Sequence, residues 1–129
     1  MKKLSLLVAL FALFQATPAL ADRLVDSYAA RLSRSDHFNS YGDRLTSPAA
    51  IIRQDRANYH VFSRSDREDE SDNFFNLKQN RAILESMVRN SRISRTILHE
   101  IVYGEPLVEI TIWSRGYGPD YIEVKIIGY

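Results

Sequence analysis

The sequence predicts an α+β fold: three to four short helices packed on a C-terminal antiparallel β-hairpin, with strands over about 107–114 and 121–127 and scope for a slightly larger sheet. Three observations carry this. Two alternating apolar and polar runs flank a Gly/Pro turn near the C-terminus. Upstream, apolar residues recur at helical spacing. Between them stand helix start and stop signals, Ser47-Pro48 and Gly104-Glu105-Pro106.

In chain order, Lys2-Lys3, the apolar run Leu4–Phe14, Pro18 and Ala19-Leu20-Ala21 form the n-, h- and c-regions of a secretory signal peptide over 1–21. The apolar run is too short to span a bilayer, which needs roughly 20 residues. A single domain is then expected over 22–129. From Asp22 to about Ser35 the spacing of Leu24, Val25, Tyr28, Ala29 and Leu32 predicts an amphipathic helix. Asp36–Asp43 is rich in turn formers and reads as a loop.

Ser47 as N-cap and Pro48 at the first helical position open a helix running to about Val61 or Phe62. Ser63–Asn73 has no apolar residue and reads as a solvated, charged connector. Phe74, Phe75 and Leu77 return the chain to the core. A helix from Arg81 to about Arg89 follows, capped by Asn80, with Ala82, Ile83, Leu84, Met87 and Val88 as its apolar stripe. Residues 94–103 read as a last helix stopped by Gly104 and Pro106, although Ile97–Tyr103 also suits a third strand.

In the hairpin, Val108, Ile110 and Ile112 share a face with Ile122, Val124 and Ile126. The favoured register sets Ile112 against Ile122, Ile110 against Val124 and Val108 against Ile126. On the other face it sets Trp113 against Tyr121, Thr111 against Glu123 and Glu109 against Lys125. A two-residue slip one way opposes Glu109 to Glu123, a like-charge pair; the other way it leaves Lys125 against Thr111. Burying such aliphatic side chains contributes about 1.5–3 kcal/mol each. A lone hairpin is marginal in water, so this face needs a helical cover.

Composition narrows the function classes. Without Lys2 and Lys3 the chain holds fifteen basic and sixteen acidic residues, a net charge of −1, which is no electrostatic footprint for nucleic acid. Cysteine is absent, so no disulfide staples the domain and no lipid anchor sits on a cysteine. No segment after the leader is apolar enough to cross a membrane, so no span is expected after cleavage.

The acidic run Asp66, Glu68, Glu70, Asp72 mimics the start of a calcium loop, but Ser71 replaces the sixth-position glycine and Leu77 the twelfth-position acid. The reading preferred for it is a solvated or helix-capping charge cluster. His37, His60 and His99 form no two-histidine metal motif, and His99-Glu100 is only half of H-E-x-x-H. No thiol, G-x-S-x-G elbow or phosphate-cradling glycine loop is present. No catalytic residue, metal ligand or cofactor is therefore assigned, and no motif is specific enough to name a family.

What stands out is aromatic. Trp113 and Tyr121 face each other on the side of the hairpin away from the aliphatic residues, with Tyr117 at the turn tip. Such a pair suits a binding surface. The competing reading covers it with the N-terminal helix or with Phe74-Phe75. The function favoured is a small non-enzymatic binding protein of the bacterial envelope or medium, periplasmic or secreted, with another envelope or secreted protein as partner. Inhibitors and immunity-type proteins fall in that class. The alternative is a small cell-wall or polysaccharide hydrolase using Glu100 or Asp55 beside His99 or His60.

Overall fold

The computed structural model describes residues 21–129. The expected leader falls on residues outside this range, apart from Ala21. The described chain is α+β, four helices packed on a three-stranded antiparallel sheet of order β1-β2-β3. The strands are β1 (Arg23–Arg31), β2 (Leu107–Ser114) and β3 (Tyr121–Gly128). The helices are α1 (Pro48–His60), α2 (Lys78–Ala82), α3 (Leu84–Arg89) and α4 (Arg95–Tyr103), and a 3₁₀ turn spans Arg34–His37. None of the described helices is long and apolar enough to cross a membrane.

The hairpin forms in the expected register: Val108 pairs with Ile126, Ile110 with Val124, Ile112 with Ile122, Glu109 with Lys125 and Trp113 with Tyr121. A bulge shifts the ladder at the far end, where Leu107 meets Gly128. Ser47 caps α1 as expected, its hydroxyl accepting from Ala50 N–H. Residues 94–103 form a helix, not a third strand, with Ser94 Oγ accepting from Ile97 N–H at 3.2 Å.

The third strand comes from the other end of the chain. Residues 23–31, expected as a helix, form β1 and pair antiparallel with β2: Tyr28 with Ile110, Ala30 with Val108. The cause is a shared spacing. Tyr28 and Leu32 stand four apart, which places two residues on one side of a helix and equally on one side of a strand. The inward residues are Tyr28, Ala30 and Leu32, at a period of two. The irregularity between Leu24 and Asp26 lets Val25 also pack against the core.

The helix expected over 81–89 is two short helices. Ile83, at φ −91° and ψ 2°, breaks it, so that Leu84 and Met87 enter the core while Ala82 and Ile83 stay exposed. Asn80 is not its cap; its side-chain amide donates instead to the Phe74 carbonyl at 2.9 Å.

The core fills the space between the inner sheet face and the helices. Tyr28, Val108, Ile110, Ile112 and Ile122 meet Ile51, Ile52, Leu84, Met87 and Ile101, with Phe75 wedged edge-on against Tyr28.

The acidic connector is not a free solvated loop. It runs beside the outer edge of β1 and caps it. Ala29 N–H donates to Glu70 Oε1 at 2.7 Å and Arg31 N–H to Asp69 Oδ1 at 2.8 Å, while Glu70 N–H returns to the Ala29 carbonyl. Ser27 N–H donates to Asp26 Oδ1. Carboxylates thus occupy the outward amides of an edge strand, a protection against strand addition. Asp69→Ala should cost about 1–2 kcal/mol, since the charge-assisted bond it makes exceeds a neutral one. The check is a denaturant midpoint measured beside a dye-binding assay for aggregation.

Candidate functional site

Among the described residues, the sheet has helices on one face only. On the other face three rows cross the strands, and their composition follows from the register. Leu24, Trp113 and Tyr121 form the first row, Ser27, Thr111 and Glu123 the second, Ala29, Glu109 and Lys125 the third. Neither element expected to cover the aromatic row does so. Residues 23–31 lie within the sheet as β1, and Phe74 and Phe75 join the core on the opposite side.

Leu24 is 53% exposed, and Trp113 and Tyr121 are half-buried. Trp113 Nε1 is buried and meets no hydrogen-bond acceptor among the described residues. An indole N–H in that condition is costly unless something accepts from it. Tyr121 is held from two sides. Its hydroxyl donates to Asp22 Oδ2 at 2.7 Å, and the Arg115 guanidinium lies 4.6 Å from its ring centre. The Asp22 bond holds the Tyr121 phenol above its ordinary pKa. Arg115 in turn donates to the Asn90 carbonyl, tying the ring to the end of α3. An open groove beside Tyr121 is lined by Asp22, Arg92, Arg115 and Glu123, a mixed-charge rim. Tyr117, in the β2–β3 turn, is 84% exposed. The structure therefore brings Trp113 and Tyr121 together and leaves Tyr117 at the tip.

A second polar constellation lies inside the molecule, and the sequence pattern does not reveal it. Arg56 of α1 is wholly buried. It bonds Asp55 Oδ2 through Nε at 2.7 Å, and Asp72 Oδ1 and the Glu70 carbonyl through Nη1 at 3.0 and 2.9 Å. Its guanidinium lies 4.0 Å from the Tyr28 ring centre and 4.7 Å from that of Tyr59. Burial raises the Asp55 pKa well above the usual carboxylate range. Burial also acts upward on Asp72, but hydrogen bonds from His60, Phe75 and Arg56 outweigh it and hold its pKa low. Tyr28 Oη, Asp55 Oδ1 and Arg56 Nη2 have no hydrogen-bond partner among the described residues. The signal that could have revealed Arg56 is weak: it sits one turn from Ile52 on the buried side of α1, in a stretch that otherwise reads as polar.

The histidine–carboxylate pairs considered for hydrolysis are not assembled as expected. His60 Nε2 meets Asp72 Oδ1 at 2.7 Å, whereas Asp55 is engaged by Arg56. Both Asp72 oxygens are committed, Oδ1 to His60 and Arg56 and Oδ2 to the Phe74 and Phe75 amides. A carboxylate so saturated anchors the connector and leaves little freedom to move a proton. His99 is exposed and packs its ring against Tyr103.

The calcium-like run is spent on protein donors: Asp66 takes Ser33 Oγ, Glu68 takes Arg31, and Asp69 and Glu70 take β1 amides. His37 directs its two ring nitrogens at the Ser33 and Ile101 carbonyls. Among the described residues no three His, Asp or Glu side chains converge in a way that would hold a metal ion.

No protein-family model, curated protein or solved structure matches the chain.

Proposed function

We propose that this chain is an exported binding protein whose open sheet face takes another protein of the bacterial envelope or medium. The observation that carries the reading is the row Leu24–Trp113–Tyr121, three large side chains on a sheet face that no described helix covers. A large, rigid aromatic pair framed by mixed charge is the composition of a recognition hot spot. The leader pattern at the N-terminus supports export. Inhibition of a secreted enzyme is one form such a protein takes.

The test compares capture from an envelope fraction by the wild type, Trp113→Ala and Tyr117→Ala, with thermal melts alongside. Tyr117→Ala should leave the melt unchanged, because its side chain is solvated. Trp113→Ala should weaken capture about 30-fold or more, the loss of about 2 kcal/mol at a hot spot. Its melt should fall only modestly, as expected for a half-buried ring. Undiminished capture with a collapsed melt would show Trp113 to be core packing and end the proposal.

A further inference from the structure

The two edges of the sheet are treated differently. On β1 the outward amides of Ser27, Ala29 and Arg31 are each occupied by a carboxylate. On β3 the first outward amide, Ile122 N–H, is taken by Ser91 Oγ at 3.0 Å. Alternation points the N–H groups of Val124 and Ile126 the same way, and neither bonds to any other described segment. Most of β3 is thus an open edge, and open edges pair with strands.

The composition of this edge selects its occupant. We infer that β3 pairs antiparallel with β3 of a second copy about a two-fold axis at Val124. In that register Glu123 stands opposite Lys125 of the second copy, and Lys125 opposite its Glu123. Ile122 faces Ile126 on the core side, and Tyr121 faces Ile127 on the open side. The outward-bonding residues also fall opposite one another. The two Val124 residues exchange both bonds, and each Ile126 N–H meets the Ile122 carbonyl of the other copy. Ile122 N–H exchanges Ser91 Oγ for the Ile126 carbonyl of the other copy, and Ser91 Oγ keeps its bond to the Met87 carbonyl. Centring the pair on Lys125 would oppose two ammonium groups, and centring it on Ile126 would set Glu123 against Tyr129. Only the Val124 register satisfies both charges.

Glu123 and Lys125 are exposed, and Ile127 is half-exposed in the free chain. Pairing makes one continuous sheet and sets Ile127 of the second copy beside Tyr121, so the aromatic row ends on a residue from the other chain. The interface is isologous, as closed dimers require. It does not depend on the proposed partner binding, because self-association is read without any partner.

The experiment is sedimentation across a dilution series, on protein purified after expression of the full chain. Wild type should run as a dimer. Glu123→Lys, which faces Thr111 in its own sheet and leaves the core untouched, should weaken dimerisation about tenfold or more. Lys125→Glu should do the same. Mixed together, the two variants should form a heterodimer. Each homodimer opposes like charges, whereas the mixed pair sets the lysine introduced at position 123 against the glutamate introduced at position 125. A wild type that stays monomeric, or a Glu123→Lys protein as dimeric as wild type, overturns the inference. If Lys125→Glu fails to fold against Glu109, Glu123→Lys alone still decides it.

Discussion

Replacing Arg56 with alanine is expected to lower the melting temperature by roughly 12–40 °C, the largest single-residue effect expected for this protein. Arg56 is the cation between two buried carboxylates, Asp55 and Asp72, and its guanidinium is stacked between Tyr28 and Tyr59. Removing one member of a buried ion pair strands the charge left behind and costs about 3–5 kcal/mol. A domain of this size has only about 5–15 kcal/mol in total. Each kcal/mol corresponds to about 4–8 °C in small domains, which sets the expected range. Arg56→Lys should rescue little of it. An ammonium is a point charge, unable to reach Asp55, Asp72 and the Glu70 carbonyl from one plane while lying flat against two rings. A thermal melt of Arg56→Ala within a few degrees of wild type would show that the cluster is not what fastens the connector to α1.

The second large effect is on pH. Stability should rise as pH is lowered from neutral to about 4 and fall again below that. Asp36 lies buried in the 3₁₀ turn that packs beside α1. Burial lifts its pKa from 3.8 to about 6 against the hydrogen bonds of Asn58 and Ser33, with the Asp66 and Asp69 charges adding to the rise. A folded-state pKa above the unfolded one means that the native state binds the proton more tightly. The resulting stability is complete below the unfolded pKa and is lost as pH rises through about 6. The size is about 3 kcal/mol across that window, on the order of 10 °C. Asp55 and Asp69, raised by burial, act in the same direction. Asp72 acts in the opposite direction: its lowered pKa supplies stability at higher pH that is lost as it protonates below its ordinary value. Melts from about pH 3 to 8 on wild type and Asp36→Asn check this. The variant loses a capping acceptor at all pH values, but its profile should flatten between about 4 and 6. An unchanged slope would remove Asp36 as its source.

Both predictions concern residues whose importance was hidden in the linear sequence. Asp72 closes a run of acids that looks like a solvated linker, and Arg56 sits among Arg53, Gln54, Asp55 and Asn58, where polarity suggests an exposed helix face. Their burial depends on one another: the connector can bring Asp72 inward only because Arg56 is there to meet it. Pairwise long-range compensation of this kind leaves no periodic trace. The aromatic row is an intermediate case. The pairing of Trp113 with Tyr121 was legible from alternation, but Leu24 joins it only because residues 23–31 form a strand.

What the sequence determined by itself is local. Alternation and cross-strand charge set the β2–β3 register, Ser47-Pro48 set the start of α1, and Gly104 with Pro106 set the end of α4. Each of these is decided by neighbours within one hairpin or one turn. Tertiary structure decided whether Tyr28 and Leu32 belong to a helix or a strand, since a spacing of four serves both, and β2 had a free edge to be paired. It also decided that the acids of 66–72 would seal the edge of β1 while that of β3 stayed open, because hydrogen-bond demand at a sheet edge exists only once the sheet does.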